Sequence, residues 1–261
     1  MPTEPIQAVA LFLFAHQDDE FGVLQRIAHY RARGLRVACA YLTDGGTARA
    51  ASAQRNAESR AVLQRLGVRD ADIAFAGEQL GIGDAQLPLH LARADAWIGR
   101  WLDGHIAIEA LHVTAWEGGH HDHDALHALA VGQAERRGLL ARTWQYSLYQ
   151  AEGLGGPLFR VLAPLAANGP VDRIAIPWAD RLRNLRCCLM YPSQLTTWVG
   201  LFPPVAWHTM VRGVESLQPV SPARLLERPH AGALYYEKRQ FFTWERMQGA
   251  LEQWRAGFPP S

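Results

Sequence analysis

Lysine is almost missing from this 261-residue chain: Lys238 is the only one among 26 cationic side chains. No stretch gathers basic residues, and 26 Lys+Arg against 25 Asp+Glu leave a net charge of +1. The electrostatic footprint of a nucleic-acid-binding protein is therefore absent. Cysteine is scarce as well. Cys39, Cys187 and Cys188 are odd in number with two adjacent, which excludes a disulfide framework and points to a reducing, cytoplasmic setting. Long hydrophobic runs are lacking too. "VALFLFA" near the start is far too short to span a bilayer, and "MPTEPIQ" before it has no basic signal-peptide region. The expectation is a protein with no membrane span. There is no internal repeat, low-complexity segment or linker-like break in composition.

What is present is core material: 49% of residues are hydrophobic and 20% charged, a globular balance. Strand-like runs fall at 6–15, 35–43, 71–77, 110–116 and 143–150. Helix-like segments lie between them at 20–34, about 50–66, 87–102 and 122–138. Strands separated by helices require right-handed crossovers, so the prediction is an α/β, Rossmann-like, mainly parallel sheet flanked by helices. After residue 150 the pattern loosens into Pro- and Gly-punctuated chain, a helix over 179–191 and a Trp- and Pro-rich stretch. Residues 151–261 read as a C-terminal capping region on the 1–150 α/β core, within one domain. The tryptophans Trp178, Trp198, Trp207, Trp244 and Trp254 read as core.

In such sheets ligands collect where strands end, and three unusual segments fall there. "HQDDE" (16–20) follows the first strand, "TDGG" (43–46) the second, and "WEGGHHDHDALH" (116–127) the fourth. His16 and Asp19 lie three apart at a strand-to-helix turn, and His123 could join them from the distant loop. Two imidazoles and a carboxylate with an open position suit catalytic zinc better than a structural site, and ferrous iron fits the same donors. Asp18 is then the spare carboxylate, placed to take a proton. The plainer alternative has Asp18 or Asp19 capping the next helix and the histidines as a solvated loop. Trp116 either stacks on a sugar ring or plugs the strand's end.

"AHQDDE", "LTDGG", "RNAESRAVLQRLGV" (55–68), "LGIGDAQL" (80–87) and "GGHHDHDA" (118–125), in this order, resemble the PIG-L/LmbE family of zinc-dependent de-N-acetylases. The resemblance covers about residues 8–130. It implies that His16, Asp19 and His123 bind the metal, that Asp18 is the general base, and that His120 stabilises the oxyanion or acts as an acid. It further implies that Asp122 orients a histidine and that Arg55 and Asp84 hold sugar hydroxyls. "MYPSQL" (190–195) echoes a family segment that makes Gln194 a substrate contact. The family usually carries proline where Gln17 and His121 stand, so the stiffness that proline gives a loop must come from elsewhere. The implied substrate is an N-acetylated amino-sugar conjugate of the N-acetylglucosamine type, with homo-oligomerisation left open. The rival readings are a metal-dependent phosphoester hydrolase, which needs a second carboxylate-rich metal site, and a non-catalytic zinc-containing glycan-binding relative.

Overall fold

The computed structural model describes residues 7–46 and 49–257. Its centre is five parallel strands: β1 (Val9–Phe14), β2 (Arg36–Tyr41), β3 (Ile73–Phe75), β4 (Ile108–Thr114) and β5 (Thr143–Tyr146). The connections carry α1 (Leu24–Ala32), α2 (Arg49–Arg65), the short α3 (Ala76–Leu80), α4 (Leu91–Asp103) and α5 (His121–Arg136). The molecule is thus α/β with a mainly parallel sheet flanked by helices, as expected.

All six side chains of β1 are buried, because its two faces feed two cores. Val9, Leu11 and Leu13 pack with residues of α4 and α5, while Ala10, Phe12 and Phe14 pack with residues of α1 and α2. β1 lies between β2 and β4 in the order β3-β2-β1-β4-β5. The chain therefore reverses its winding direction at the β1–β4 pair, and the carboxyl ends of those strands flank the crevice where open α/β sheets bind ligands. The His16 and His123 segments leave from these ends.

The later chain adds β6 (Tyr149–Gln150), β7 (Arg160–Val161), β8 (Asp172–Ala175), α6 (Trp178–Cys188), α7 (Leu195–Trp207), β9 (Val214–Pro219), α8 (Tyr235–Lys238) and α9 (Trp244–Ala256). β9 and β8 continue the main sheet beyond β5 in antiparallel pairing, an extension with no counterpart in the sequence reading. The predicted strand over 143–150 is interrupted. The buried Glu117 carboxylate accepts the Leu148 and Tyr149 amides at 2.7 and 3.0 Å and the Ser147 hydroxyl, taking donors that a continuous strand would keep. The helix predicted from residue 20 opens as a 3-10 turn (Asp19–Gly22), and α1 starts at Leu24. Ile6, at the edge of the first predicted strand, lies outside the described residues.

Two tryptophans depart from the core expectation. Trp198 and Trp254 are buried, but Trp178 and Trp207 are 66% and 64% exposed.

Candidate active site

β1 delivers His16 through Glu20 into a tight buried turn. The Asp19 carboxylate accepts the backbone amides of Ala15 and His16 at 2.9 and 2.8 Å through Oδ2, which leaves Oδ1 aimed outward. There it meets His123 Nε2 at 3.0 Å, and that nitrogen lies 3.2 Å from His16 Nδ1. Ligands around a tetrahedral ion with bonds of about 2.0–2.1 Å sit about 3.3–3.4 Å apart. The three donors of His16, Asp19 and His123 therefore converge at the spacing such an ion needs. Burial opposes the charges here, yet His123 and His16 hold the Asp19 carboxyl well below its usual range.

Asp18 does not cap the following helix: its side chain makes no capping bond. Its backbone has φ +124°, a conformation that non-glycine residues adopt only under constraint. The constraint is visible, since the Asp18 amide donates to Glu20 Oε2 at 3.1 Å and its carbonyl accepts from the Phe21 amide at 3.1 Å. Burial pushes the Asp18 carboxyl up to about 8, against the pull of Arg55 and with the repulsion of Asp19 and Glu20.

β4 and the N-terminus of α5 supply the histidine loop. Gly119 is required there, because a Cβ would lie 2.0 Å from the Tyr149 carbonyl oxygen. His120 caps α5, its Nδ1 accepting the Asp122 amide at 3.2 Å. That bond fixes the neutral tautomer with the proton on Nε2. Burial and the neighbouring His16 keep its pKa well below the usual imidazole value. Asp122 accepts His16 Nε2–H at 2.9 Å, together with the Ala85 and Leu87 amides at 2.7 and 3.0 Å. His16 is thus gripped from behind by a carboxylate, as metal-ligating histidines usually are. Among the described residues, Nδ1 of His123 has no such partner.

The loops brace one another sideways. Gln17 is fully buried and donates to Asn56 Oδ1 at 2.8 Å and the Thr43 carbonyl at 3.2 Å, so it ties the β1 loop to α2 and to the β2 loop. Gly45 makes room for it: φ is +67°, and a Cβ there would fall 2.0 Å from Gln17 Oε1. His121 donates to the Ala85 carbonyl at 3.0 Å and stacks on Phe242. Cross-links thus replace the stiffness that proline would bring at both positions. Arg55 is almost wholly engaged: it donates to the Gly45 and Gln17 carbonyls and lies 3.8 Å from Asp18 and 3.5 Å from Asp84. With its amide turned to suit both sides, Gln194 accepts from Arg55 Nε at 3.0 Å.

These residues line a cavity of about 430 Å³. His16, Asp18, Asp19, Arg55, Asp84, His120 and Gln194 all reach it. Trp116 does not: it is fully buried, donates to the Glu227 carbonyl at 3.1 Å and packs on Trp244. It plugs the end of its strand, which corrects the sugar-stacking expectation. The aromatic part of the lining, which meets His123 edge-on through Tyr149, was not read from the sequence. It holds Tyr149, Phe159 and Tyr235, three rings in mutual edge contact, with Arg239 and Phe241 beside them. These residues are spread over more than ninety positions and share no spacing that a sequence pattern could reveal. A second set of possible metal donors, His16, Asp84, His120 and Asp122, shares His16 through its other nitrogen. The sequence had suggested no second carboxylate-bearing set.

Several solved structures share the fold. A teicoplanin deacetylase, Orf2, in a zinc-inhibited form aligns over 82% of this chain and 98% of its own at TM-score 0.61 and 14% identity. An N,N'-diacetylchitobiose deacetylase from Pyrococcus horikoshii aligns over 84% and 85% at TM-score 0.59 and 16% identity. The conserved protein TT1542 from Thermus thermophilus aligns over 86% and 99% at TM-score 0.55 and 20% identity. No curated protein sequence matches the chain. Residues 11–134, which hold both histidine segments and every donor of the site, match the PIG-L family model, described as GlcNAc-PI de-N-acetylase. Over these residues, a little under half of its length, the chain is similar to the PIG-L family.

Proposed function

We propose that this protein is a metal-dependent hydrolase that removes the acetyl group from an N-acetylated amino sugar of the N-acetylglucosamine type carried on a larger conjugate. The observation that carries the reading is the convergence of His16 Nδ1, Asp19 Oδ1 and the buried His123 Nε2 at the cavity that His16, Asp18 and Asp19 line. The family-model match over residues 11–134 and the deacetylases of like fold support it. Two imidazoles and a carboxylate suit zinc, and ferrous iron is the alternative. Such an ion, when bound, polarises the acetyl carbonyl and makes water acidic enough to react near neutral pH.

The chain's own residues do the rest. Asp18, which lines the cavity beside His16 and Asp19, takes the proton from the attacking water. His120, held as the Nε2–H tautomer, donates a hydrogen bond to the oxygen that gains charge in the tetrahedral state. Asp122 fixes the ring of His16. Arg55 acts mainly as a positioning group, because Asp18, Asp84 and two loop carbonyls already occupy it. Asp84 and Gln194 face the cavity and meet sugar hydroxyls. Residues 151–261 complete the same catalytic domain as its cap, and a soluble conjugate in the cytoplasm is the proposed setting.

The second donor set revives the phosphoester reading, since two-metal sites serve that reaction. Asp122 weighs against it, because its oxygens already accept two backbone amides and His16. The test is metal analysis followed by assays on N-acetylglucosamine conjugates and aryl phosphates. Amine release that a chelator abolishes and zinc restores is the expected result. Phosphate release without amine release would overturn the proposal.

A further inference from the structure

Among the described residues, twelve large apolar side chains stand more than half exposed, and seven of them fall between positions 178 and 211. Single exposed apolar residues need no explanation, but a concentration of this kind marks an interaction face. α7 carries its spine. Leu195, Val199, Pro203 and Trp207 recur every four residues on its exposed side, a ridge about 18 Å long at 1.5 Å per residue. The following turn, His208–Arg212, extends it with Val211. Trp178 of α6 joins at the far end: Arg181 lies over its ring at 4.2 Å and donates to the Met210 carbonyl at 2.8 Å. On its core side α7 buries Trp198, Leu201 and Val205, and Thr196, Thr197 and Gly200 line the cavity. The apolar ridge therefore borders the mouth of the candidate active site.

The charge around the ridge indicates what covers it. Between residues 178 and 212 there are four arginines and one aspartate, a local +3 in a chain whose total is +1. Arg183 pairs with Asp180. Arg181, Arg186 and Arg212 have no carboxylate partner among the described residues. A two-fold pairing of this face with a second copy would bring two net-positive surfaces together. An anionic lipid surface does the opposite, attracting the cations while the apolar ridge and tryptophans enter the headgroup boundary. No helix among the described residues is long and apolar enough to cross a membrane, so contact would be from one side. We propose that the α6–α7 face docks reversibly on an anionic lipid surface, with the cavity mouth at its edge.

The test is co-sedimentation of the full chain with vesicles, and it reads binding without any substrate. Expected is salt-sensitive binding to phosphatidylcholine vesicles containing phosphatidylglycerol, with weak binding to phosphatidylcholine alone. Trp207→Glu with Val211→Glu should cut the bound fraction at least about tenfold, with an unchanged thermal melt and unchanged turnover of a water-soluble substrate. Arg186→Glu with Arg212→Glu, which leaves the apolar ridge intact, should weaken binding to the anionic vesicles only. Absence of binding by the parent chain would overturn the proposal, as would equal binding by both variants. It would equally fall if the chain ignored vesicles but formed a dimer in ultracentrifugation that Trp207→Glu dissolved, since a second copy would then own the face.

Discussion

The two walls of the cavity are built on different principles. On the strand-end wall polar side chains brace one another: Asp122 holds His16, two backbone amides hold Asp19, and Arg55 spans Asp18 and Asp84. The adjoining aromatic wall is three rings touching edge to edge, with Arg239 over Phe241 at 5.5 Å. A cross-braced wall keeps reacting groups within a few tenths of an ångström, as catalysis demands. An aromatic wall offers apolar area and tolerates different occupants. The contrast suggests that reaction type and substrate choice reside in separable parts of the protein.

The division can be broken or sharpened by mutation. His123→Ala has the largest expected effect: bound metal disappears on elemental analysis and turnover falls to background, whereas full metal content would remove His123 from the ligand set. Asp18→Asn should keep the metal yet lower turnover by about 10²–10⁴-fold. In the parent enzyme kcat/KM should fall as pH drops through the Asp18 pKa, because the base must be unprotonated. That acid limb should lie below about 8, the value set by burial and neighbours, since a bound cation stabilises the carboxylate. A profile unchanged by Asp18→Asn would dismiss its role. Asp122→Ala should cost about 10–100-fold in metal affinity or activity, measured by competition with a chelator. Phe159→Ala should raise KM roughly three- to tenfold with kcat nearly intact. If it lowered kcat as far as Asp122→Ala, the two walls would not be functionally distinct.

The strand-end wall was largely legible because its residues are local: His16, Asp18 and Asp19 fall within four positions, and His120, Asp122 and His123 within another four. The five parallel strands were legible as mainly apolar runs, since burial on both faces favours apolar residues, with buried His112 and Gln145 as exceptions. Other parts depend on partners that no local pattern names. β8 is mostly exposed and β9 carries the buried Glu215, which accepts the Gln25 and Arg26 amides at 2.9 Å, so neither strand shows an apolar signature. The break after β5 depends on Glu117, some thirty residues earlier. Trp178 and Trp207 read as core because tryptophan usually is, and only the packing of α6 and α7 shows which face stays open.

The backbone of Asp18 carries a consequence for how this protein can be improved. A side chain held at φ +124° costs of order 1–3 kcal/mol, which the surrounding loop absorbs to keep one carboxyl in place. Asp18→Gly relieves that strain, so the variant should melt no lower than its parent while losing turnover. With Asp18 as the proposed base, selection for thermal stability alone would favour loss of activity at this position, a stability–activity trade-off. Stabilised variants should be sought on surfaces remote from the β1 loop, and every hit at residue 18 should be assayed before it is kept.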